Sequence, residues 1–195
     1  MAEALERKWL KIEHAGGGGN IRKKAEECIA GAVDKGRVQA LSDSDRLHPD
    51  HESTTIRTMR KIASELGIRV HILHKRDSEN YLPHEGVDHY GRKTVYRAFR
   101  QLNEQQKDYY DMKSGFRRKS DGTLEIPAEQ EQIYADVPRA VLEKLAGGFG
   151  DRQNMLFQGV DGKVPHYITK TQIEARCVTK PEELTSILDA VERML

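Results

Sequence analysis

The chain has few cysteines, few aromatic residues and almost no excess charge of either sign. Its two cysteines, Cys28 and Cys177, are too few and too far apart for a disulfide framework or a zinc-binding motif. We therefore expect a reducing, cytoplasmic location. With 32 basic and 31 acidic side chains, the net charge is only +1. This balance excludes a globally basic nucleic-acid-binding protein, so only a local patch would contact DNA or RNA.

Long hydrophobic runs are also missing from the sequence. No apolar stretch approaches the ~20 residues that a membrane span requires, and residues 1–8 lack the apolar centre of a signal peptide. We therefore expect neither membrane insertion nor secretion. The 195 residues, of which 37% are hydrophobic, suffice for one domain with an appendage but leave little room for two complete cores.

The first half of the chain alternates short apolar runs with helical patterns. Strands are predicted at 9–12, 38–41 and 68–73. Helices are predicted at 21–35 and 53–66, with Gly36 and Gly67 at their ends. This alternation predicts an α/β domain over residues 1–90, in which helices flank a parallel sheet.

The second half is predicted to be mostly helical. Helical patterns cover 93–106, 128–145 and 181–195, and the glycines of 147–150 interrupt them. We therefore expect a helical extension over residues 91–195. The apolar stripe of the last helix, from Leu184 to Leu195, is either core or a contact with a partner helix.

Acidic residues follow two of the predicted strands. Ligand sites of parallel sheets lie beyond the carboxyl ends of the strands. Asp43 and Asp45 are two residues apart, so their carboxylates share one side if the extended geometry persists, and there they can bind a divalent cation such as Mg²⁺. Glu79, after the next strand, is placed to supply a third oxygen ligand. The alternatives are that Asp43 caps a turn or the following helix, and that Glu79 lies solvated in a short helical turn capped by Asp77 or Ser78.

Glycines and basic residues supply candidate phosphate contacts. Gly17, Gly18 and Gly19 precede a predicted helix, where backbone N–H groups bind phosphate or where glycine only permits close packing. No Gly-Lys-Ser/Thr follows them, which disfavours a nucleotide P-loop. Segment 108–119 interleaves aromatic with basic residues, including Arg117, a pattern typical of contact with a nucleic-acid backbone. Lys113, in that segment, is either a surface lysine or a catalytic one.

The histidines are weaker candidates. Pro49 interrupts the pair His48 and His51, and strand geometry places His71 and His74 on opposite faces, so we interpret all four as structural or solvated. His14, just before the glycines, is the exception that remains a candidate for the site, although a lone histidine is more often a packing residue.

Three elements of the sequence occur in a distinctive order. They are the glycines at 16–19, the segment Ala40-Leu41-Ser42-Asp43-Ser44-Asp45-Arg46, and the segment 72–83, which contains Glu79-Asn80-Tyr81-Leu82. In these elements and their order the chain resembles the Toprim domain of OLD-family (overcoming lysogenization defect) nucleases and their relatives in bacterial antiphage defence. The resemblance covers roughly the first 85 residues, and 108–116 resembles a weaker downstream element. The Glu-Asn-Tyr-Leu element is the most distinctive part.

The resemblance implies cleavage of phosphodiester bonds in DNA with Mg²⁺ or Mn²⁺. It implies that Asp43 and Asp45 are metal ligands and that Glu79 lies near a second metal position. Two ions of this kind activate water and stabilise the leaving oxygen. Lys113 is the candidate for neutralising charge on the phosphate, with Lys75 and Arg76 as rivals.

Toprim domains of this type begin with a further strand that ends in a catalytic Glu, whereas only eight residues precede Trp9 here. Three explanations are open: a divided or shortened gene product, a partner chain that supplies the strand, or a relative that has lost cleavage. Because relatives pair this domain with an ABC-type ATPase, a separate ATPase subunit and DNA are the implied partners, and a homo-oligomer is left open. The alternative function is a catalytically incomplete regulatory or partner-binding subunit of an ATPase complex. A third interpretation is phosphatase or nucleotide-binding chemistry.

Overall fold

The computed structural model describes residues 10–15, 18–31, 34–84, 86–87, 92–150 and 168–194. The chain is mixed α/β and forms two compact units. Unit 1 comprises 1–44, 52–73 and 182–195, and unit 2 comprises 45–51 and 74–181. None of the helices in the described part of the chain has the length and apolar character to cross a membrane.

Eight helices and four strands are named here in chain order. The helices are α1 (Ile21–Gly31), α2 (Thr54–Leu66), α3 (Lys93–Phe99), α4 (Glu104–Tyr109), α5 (Ala128–Glu131), α6 (Arg139–Leu145), α7 (Lys170–Glu174) and α8 (Glu183–Glu192). The strands are β1 (Gln39–Ser42), β2 (Arg69–Ile72), β3 (Arg117–Arg118) and β4 (Leu124–Glu125).

The sheet of unit 1 contains β1 and β2, which pair in parallel from Gln39↔Arg69 to Ser42↔Ile72. This confirms the strands predicted at 38–41 and 68–73 and their parallel arrangement. The strand predicted at 9–12 is wrong for the part that the structure describes, because residues 10–12 have no strand conformation and Trp9 lies outside the described residues. Ile12 is exposed there, whereas a strand residue that faces the core would be buried.

Helix α2 covers one face of that sheet and confirms the helix predicted at 53–66. The Ser53 hydroxyl accepts a hydrogen bond from the Ile56 N–H (3.1 Å), and Gly67 ends the helix in the left-handed conformation (φ 67°). Its apolar face, together with helix α1, forms the core of unit 1. That core contains Ala25, Met59, Ile62 and Ile68, with Ala40, Val70 and Ile72 of the strands packed against it.

Unit 2 is built around buried aromatic rings, and its helices are shorter than predicted. The helix predicted at 93–106 is two helices, because Asn103 and Gln106 form a capping box that begins α4. The helix predicted at 128–145 is likewise divided into α5 and α6, and Pro138 is the N-cap of α6. The antiparallel pair β3–β4 was not predicted. The bounds of the two units also differ from the predicted domains 1–90 and 91–195, because segment 74–84 packs within unit 2.

Two glycines of unit 2 pack back to back, Gly115 (φ 60°) and Gly148 (φ 53°). A β-carbon on Gly148 would lie 2.6 Å from the Gly115 nitrogen, which is closer than such atoms can approach. We therefore expect Gly148→Ala to lower the free energy of unfolding by roughly 2–4 kcal/mol, from backbone strain and overpacking together. Denaturant unfolding followed by circular dichroism measures this loss.

The matched control is Gly122→Ala, since Gly122 also has a positive φ (82°) but nothing lies within 4 Å of its β-carbon position. That change costs only the conformational term, about 1–2 kcal/mol. Equal losses for the two variants would contradict the packing argument.

Candidate functional site

The two aspartates after β1 differ in backbone geometry. Asp43 follows Ser42, the last residue of β1, and is half-buried. Asp45 is exposed and has a φ of +50°. Among the residues that the structure describes, it is the one residue other than glycine with a positive φ. The extended conformation therefore does not continue from β1 to Asp45. Both carboxylates were expected on one side only if the extended geometry persisted, and the turn at Asp45 removes that condition.

Backbone and side-chain hydrogen bonds fix segment 45–51 within unit 2. The Asp45 N–H donates to the carbonyl of Arg76 (3.0 Å), and the Arg46 guanidinium donates to the carbonyl of His74 (3.3 Å). In the same segment the Leu47 N–H donates to Nδ1 of His51 (3.1 Å). This local role of His51 agrees with its interpretation as a structural residue.

Glu79 lies in a 3₁₀ turn, Ser78–Tyr81, that begins after Asp77. The Ser78 hydroxyl donates to a Glu79 carboxylate oxygen (3.1 Å), and Glu79 is half-buried. Asn80 closes the turn because its side-chain oxygen accepts from the Asp77 N–H (2.9 Å). The structure thus has the short capped turn, with Glu79 in it, that the sequence left as the alternative to a metal ligand.

The rest of the Glu-Asn-Tyr-Leu element is buried and structural. The Asn80 amide donates to the carbonyls of Lys107 (2.7 Å) and Tyr110 (2.9 Å). Tyr81 and Leu82 are buried beside it. The two Asn80 hydrogen bonds fix the turn against the segment that ends α4.

Lys75 is at the centre of a buried polar cluster in unit 2. Lys75 and Asp108 are each only 1% exposed, and the ammonium group donates to the Asp108 carboxylate (2.5 Å). It also donates to the carbonyls of Asn80 (3.3 Å) and Arg176. Burial lowers the pKa of the Lys75 ammonium group, and the negative charge of Asp108 opposes that shift. The predicted surface contact of Lys75 with phosphate does not fit this burial.

A further hydrogen bond and an ion pair surround the Lys75 cluster. The Thr179 hydroxyl donates to the second oxygen of Asp108 (2.5 Å), and the Arg176 guanidinium pairs with Glu104 (2.6 Å). Sequence reasoning missed Asp108, Arg176 and Thr179, because no local pattern relates residues so far apart along the chain.

Arg76, predicted to contact phosphate, is half-buried between two aspartates. Its guanidinium pairs with Asp111 (3.1 Å) and with Asp77 (3.3 Å). Asp111 also accepts from the Ser114 N–H (2.6 Å). Most of the charge of Arg76 is therefore balanced within unit 2.

The aromatic and basic residues of 108–119 separate in the structure. Tyr109, Tyr110 and Phe116 are buried in the core, where Tyr110 and Phe116 make an edge-to-face contact (5.6 Å between centroids). These buried rings therefore do not accompany the basic residues of the pattern at the surface. Lys113 and Arg117, by contrast, are exposed.

Of the predicted glycine site, Gly17 lies outside the described residues. Gly18 and Gly19 belong to a 3₁₀ turn, Gly18–Asn20, that leads directly into α1, and Gly19 is exposed. Nothing lies within 4 Å of a β-carbon on Gly19, so close packing does not explain that glycine. Phosphate binding at this turn stays a prediction.

Carboxylate oxygens are the ligands that Mg²⁺ and Mn²⁺ prefer, so Asp43, Asp45 and Glu79 suit these ions chemically. Among the residues that the structure describes, however, no three His, Cys, Asp or Glu side chains form a group that could hold a metal ion. Their arrangement therefore does not complete a three-ligand site. A joint metal site of these three acids stays a prediction from the sequence.

Comparison with known proteins gives no relative. No protein-family model matches the chain, and neither a curated protein nor a solved structure matches it significantly. The resemblance to the Toprim domain therefore rests on the sequence pattern alone.

Proposed function

We propose that this chain is the nuclease part of a metal-dependent DNA endonuclease of the cytoplasm, acting in antiphage defence. Asp43, Asp45 and Glu79 are its contribution to the acidic residues that hold Mg²⁺ or Mn²⁺. A separate ABC-type ATPase is the proposed partner. Because the described acids do not complete a three-ligand site, further ligands come from the DNA phosphate or from a partner chain.

The observation that carries this proposal is the parallel pairing of β1 with β2. Both strands end at the same edge of the sheet, with Ser42 opposite Ile72. Asp43 is the first residue after β1, the position where sheets of this kind place their ligands. The elements on which the Toprim resemblance rests keep their order from β1 through Asp43 and Asp45, α2 and β2 to Glu79, whereas residues 10–12 form no strand.

Exposed cations of unit 2 support DNA as the substrate. Lys113 and Arg117 lie at the surface and are the candidates for contact with phosphate, Lys113 also for neutralising charge during cleavage. Gly18 and Gly19 remain candidates for a phosphate contact in unit 1.

A plasmid-nicking assay with the purified chain tests this proposal. We expect conversion of supercoiled DNA to the open-circular form with Mn²⁺ or Mg²⁺, and no conversion in EDTA. Hydrolysis of p-nitrophenyl phosphate is measured in parallel, because turnover of that small ester without nicking would favour phosphatase chemistry instead.

The second candidate is a catalytically incomplete regulatory or partner-binding subunit of an ATPase complex. It is favoured by the left-handed backbone at Asp45 and by the use of Lys75 and Arg76 in ion pairs of unit 2. Nicking that begins only when an ABC-type ATPase is added supports the nuclease proposal. Binding of that ATPase with no nicking under either condition supports the second candidate.

A further inference from the structure

The turn that contains Glu79 is bound to a part of unit 2 far along the chain. The Arg176 guanidinium donates through Nη2 to the carbonyl of Asn80 (3.4 Å), and these two residues are 96 positions apart. The ammonium group of Lys75 donates to the same carbonyl (3.3 Å). Because Asn80 directly follows Glu79, two buried cationic side chains hold the backbone beside this acid.

Segment 176–179, which supplies Arg176, is itself attached to unit 2 by three contacts. The carbonyl of Arg176 accepts from the Lys75 ammonium group, and the Thr179 hydroxyl donates to Asp108 (2.5 Å). Through Nη1, the guanidinium of Arg176 also pairs with Glu104 (2.6 Å). Arg176 is only 4% exposed, so these polar contacts are shielded from water, which strengthens them.

The chain that this cluster fixes, residues 75–80, bears on both candidate acids of unit 2. The Asp45 N–H donates to the carbonyl of Arg76 (3.0 Å), the residue after Lys75. Glu79 lies within the segment and is half-buried. Since the cluster contacts Lys75 at one end and Asn80 at the other, it holds the segment at both ends. The placement of the Glu79 carboxylate therefore depends on these contacts.

We propose that Arg176 is a positioning residue that holds the Glu79 turn, through the carbonyl of Asn80, where the Glu79 carboxylate binds Mg²⁺ or Mn²⁺. Arg176 acts through the turn and contacts neither the metal nor the DNA. No sequence motif indicated it, and it lies outside the first 85 residues, which carry most of the Toprim resemblance. The inference rests on the proposed function, because it takes Glu79 as a metal ligand.

Plasmid nicking by the full chain over a series of Mn²⁺ concentrations tests this role. Arg176→Gln is expected to raise the Mn²⁺ concentration for half-maximal rate about tenfold, the lower end of what the loss of an outer partner of a metal ligand costs. The maximal rate is expected to change much less, because excess Mn²⁺ selects the productive position of Glu79. Glu104 keeps Lys107 as its partner (2.7 Å), so the variant leaves no unpaired acid there.

Hydrogen exchange of the turn, measured without metal or DNA, reports its position independently of activity. The N–H groups of Asn80 and Leu82 donate to the carbonyls of Asp77 (3.1 Å) and Glu79 (3.0 Å). Both amides are expected to exchange several-fold faster in Arg176→Gln than in wild type, because the turn opens locally more often. Wild-type exchange at both amides in Arg176→Gln would overturn the inference.

Two variants separate positioning from a general loss of stability. Tyr134→Phe is the matched control, because it also removes one buried hydrogen bond of unit 2, to the carbonyl of Gln106 (2.8 Å), and none of the turn. It is expected to keep the wild-type half-saturation by Mn²⁺. Arg176→Lys keeps the charge opposite Glu104 but not the two separate nitrogen donors, so its half-saturation is expected between those of wild type and Arg176→Gln.

The outcomes distinguish this inference from the proposed function. Equal half-saturation by Mn²⁺ in Arg176→Gln and Tyr134→Phe, with nicking by the wild type, would overturn the positioning role alone. Absence of nicking by the wild type, with and without an ABC-type ATPase, would overturn the proposed function and this role with it. A raised half-saturation in Arg176→Gln, together with faster exchange of the turn, supports the positioning role.

Discussion

Asp108→Ala is expected to lower the free energy of unfolding by about 3–5 kcal/mol, because it leaves the ammonium group of Lys75 buried without its counter-charge. Both side chains are almost fully buried, so water cannot replace the lost carboxylate. The same change removes the acceptor of the Thr179 hydroxyl. Denaturant unfolding followed by circular dichroism measures the loss, read from the midpoint at constant slope.

Two further variants separate burial from charge. Arg60→Ala breaks an exposed pair with Glu52 and is expected to cost at most ~1 kcal/mol. The double variant Lys75→Met with Asp108→Leu replaces both charges by apolar side chains and is expected to recover most of the stability that Asp108→Ala loses. A loss below about 0.5 kcal/mol for Asp108→Ala would show that the pair does not stabilise unit 2.

Local sequence signals were sufficient to predict three elements of unit 1, namely β1, α2 and β2. The capping side chain Ser53, the apolar spacing of α2 and the closing Gly67 are all contained within one helix. The strands β1 and β2 were equally readable, because each is a short apolar run between turn signals. Their parallel pairing followed from the helix between them.

The sequence misled where tertiary contacts override local patterns. The run 93–106 has a helical pattern throughout, but the capping box of Asn103 and Gln106 begins a new helix within it. The alternation of aromatic and basic residues in 108–119 indicated contact with a nucleic-acid backbone, whereas Tyr110 and Phe116 are part of the core of unit 2. An alternation of aromatic and basic residues does not show which of the side chains will be buried in the core.

The candidate site was predictable in its residues but not in its geometry. The position of Asp43 after β1 follows directly from the strand prediction. The positive φ of Asp45 has no signature in the sequence, since aspartate adopts this conformation only in particular turns. The burial of Lys75 depends on Asp108, 33 residues along the chain, and no spacing rule relates the two.

The central claim is that Asp43 and Asp45 serve metal-dependent cleavage of DNA. Plasmid nicking in Mn²⁺ is measured for wild type, Asp43→Asn, Asp45→Asn and Glu79→Gln, each with its thermal midpoint as a check on folding. Asp50→Asn is the matched control, because Asp50 is an exposed acid in the segment that follows Asp45.

We expect both aspartate variants to nick at least ~100-fold more slowly than wild type, since even the outer partners of a metal site cost 10–100-fold when removed. Glu79→Gln is expected to follow them, and Asp50→Asn to keep the wild-type rate. Nicking at the wild-type rate by folded Asp43→Asn and Asp45→Asn would contradict the claim and remove these residues from the reaction.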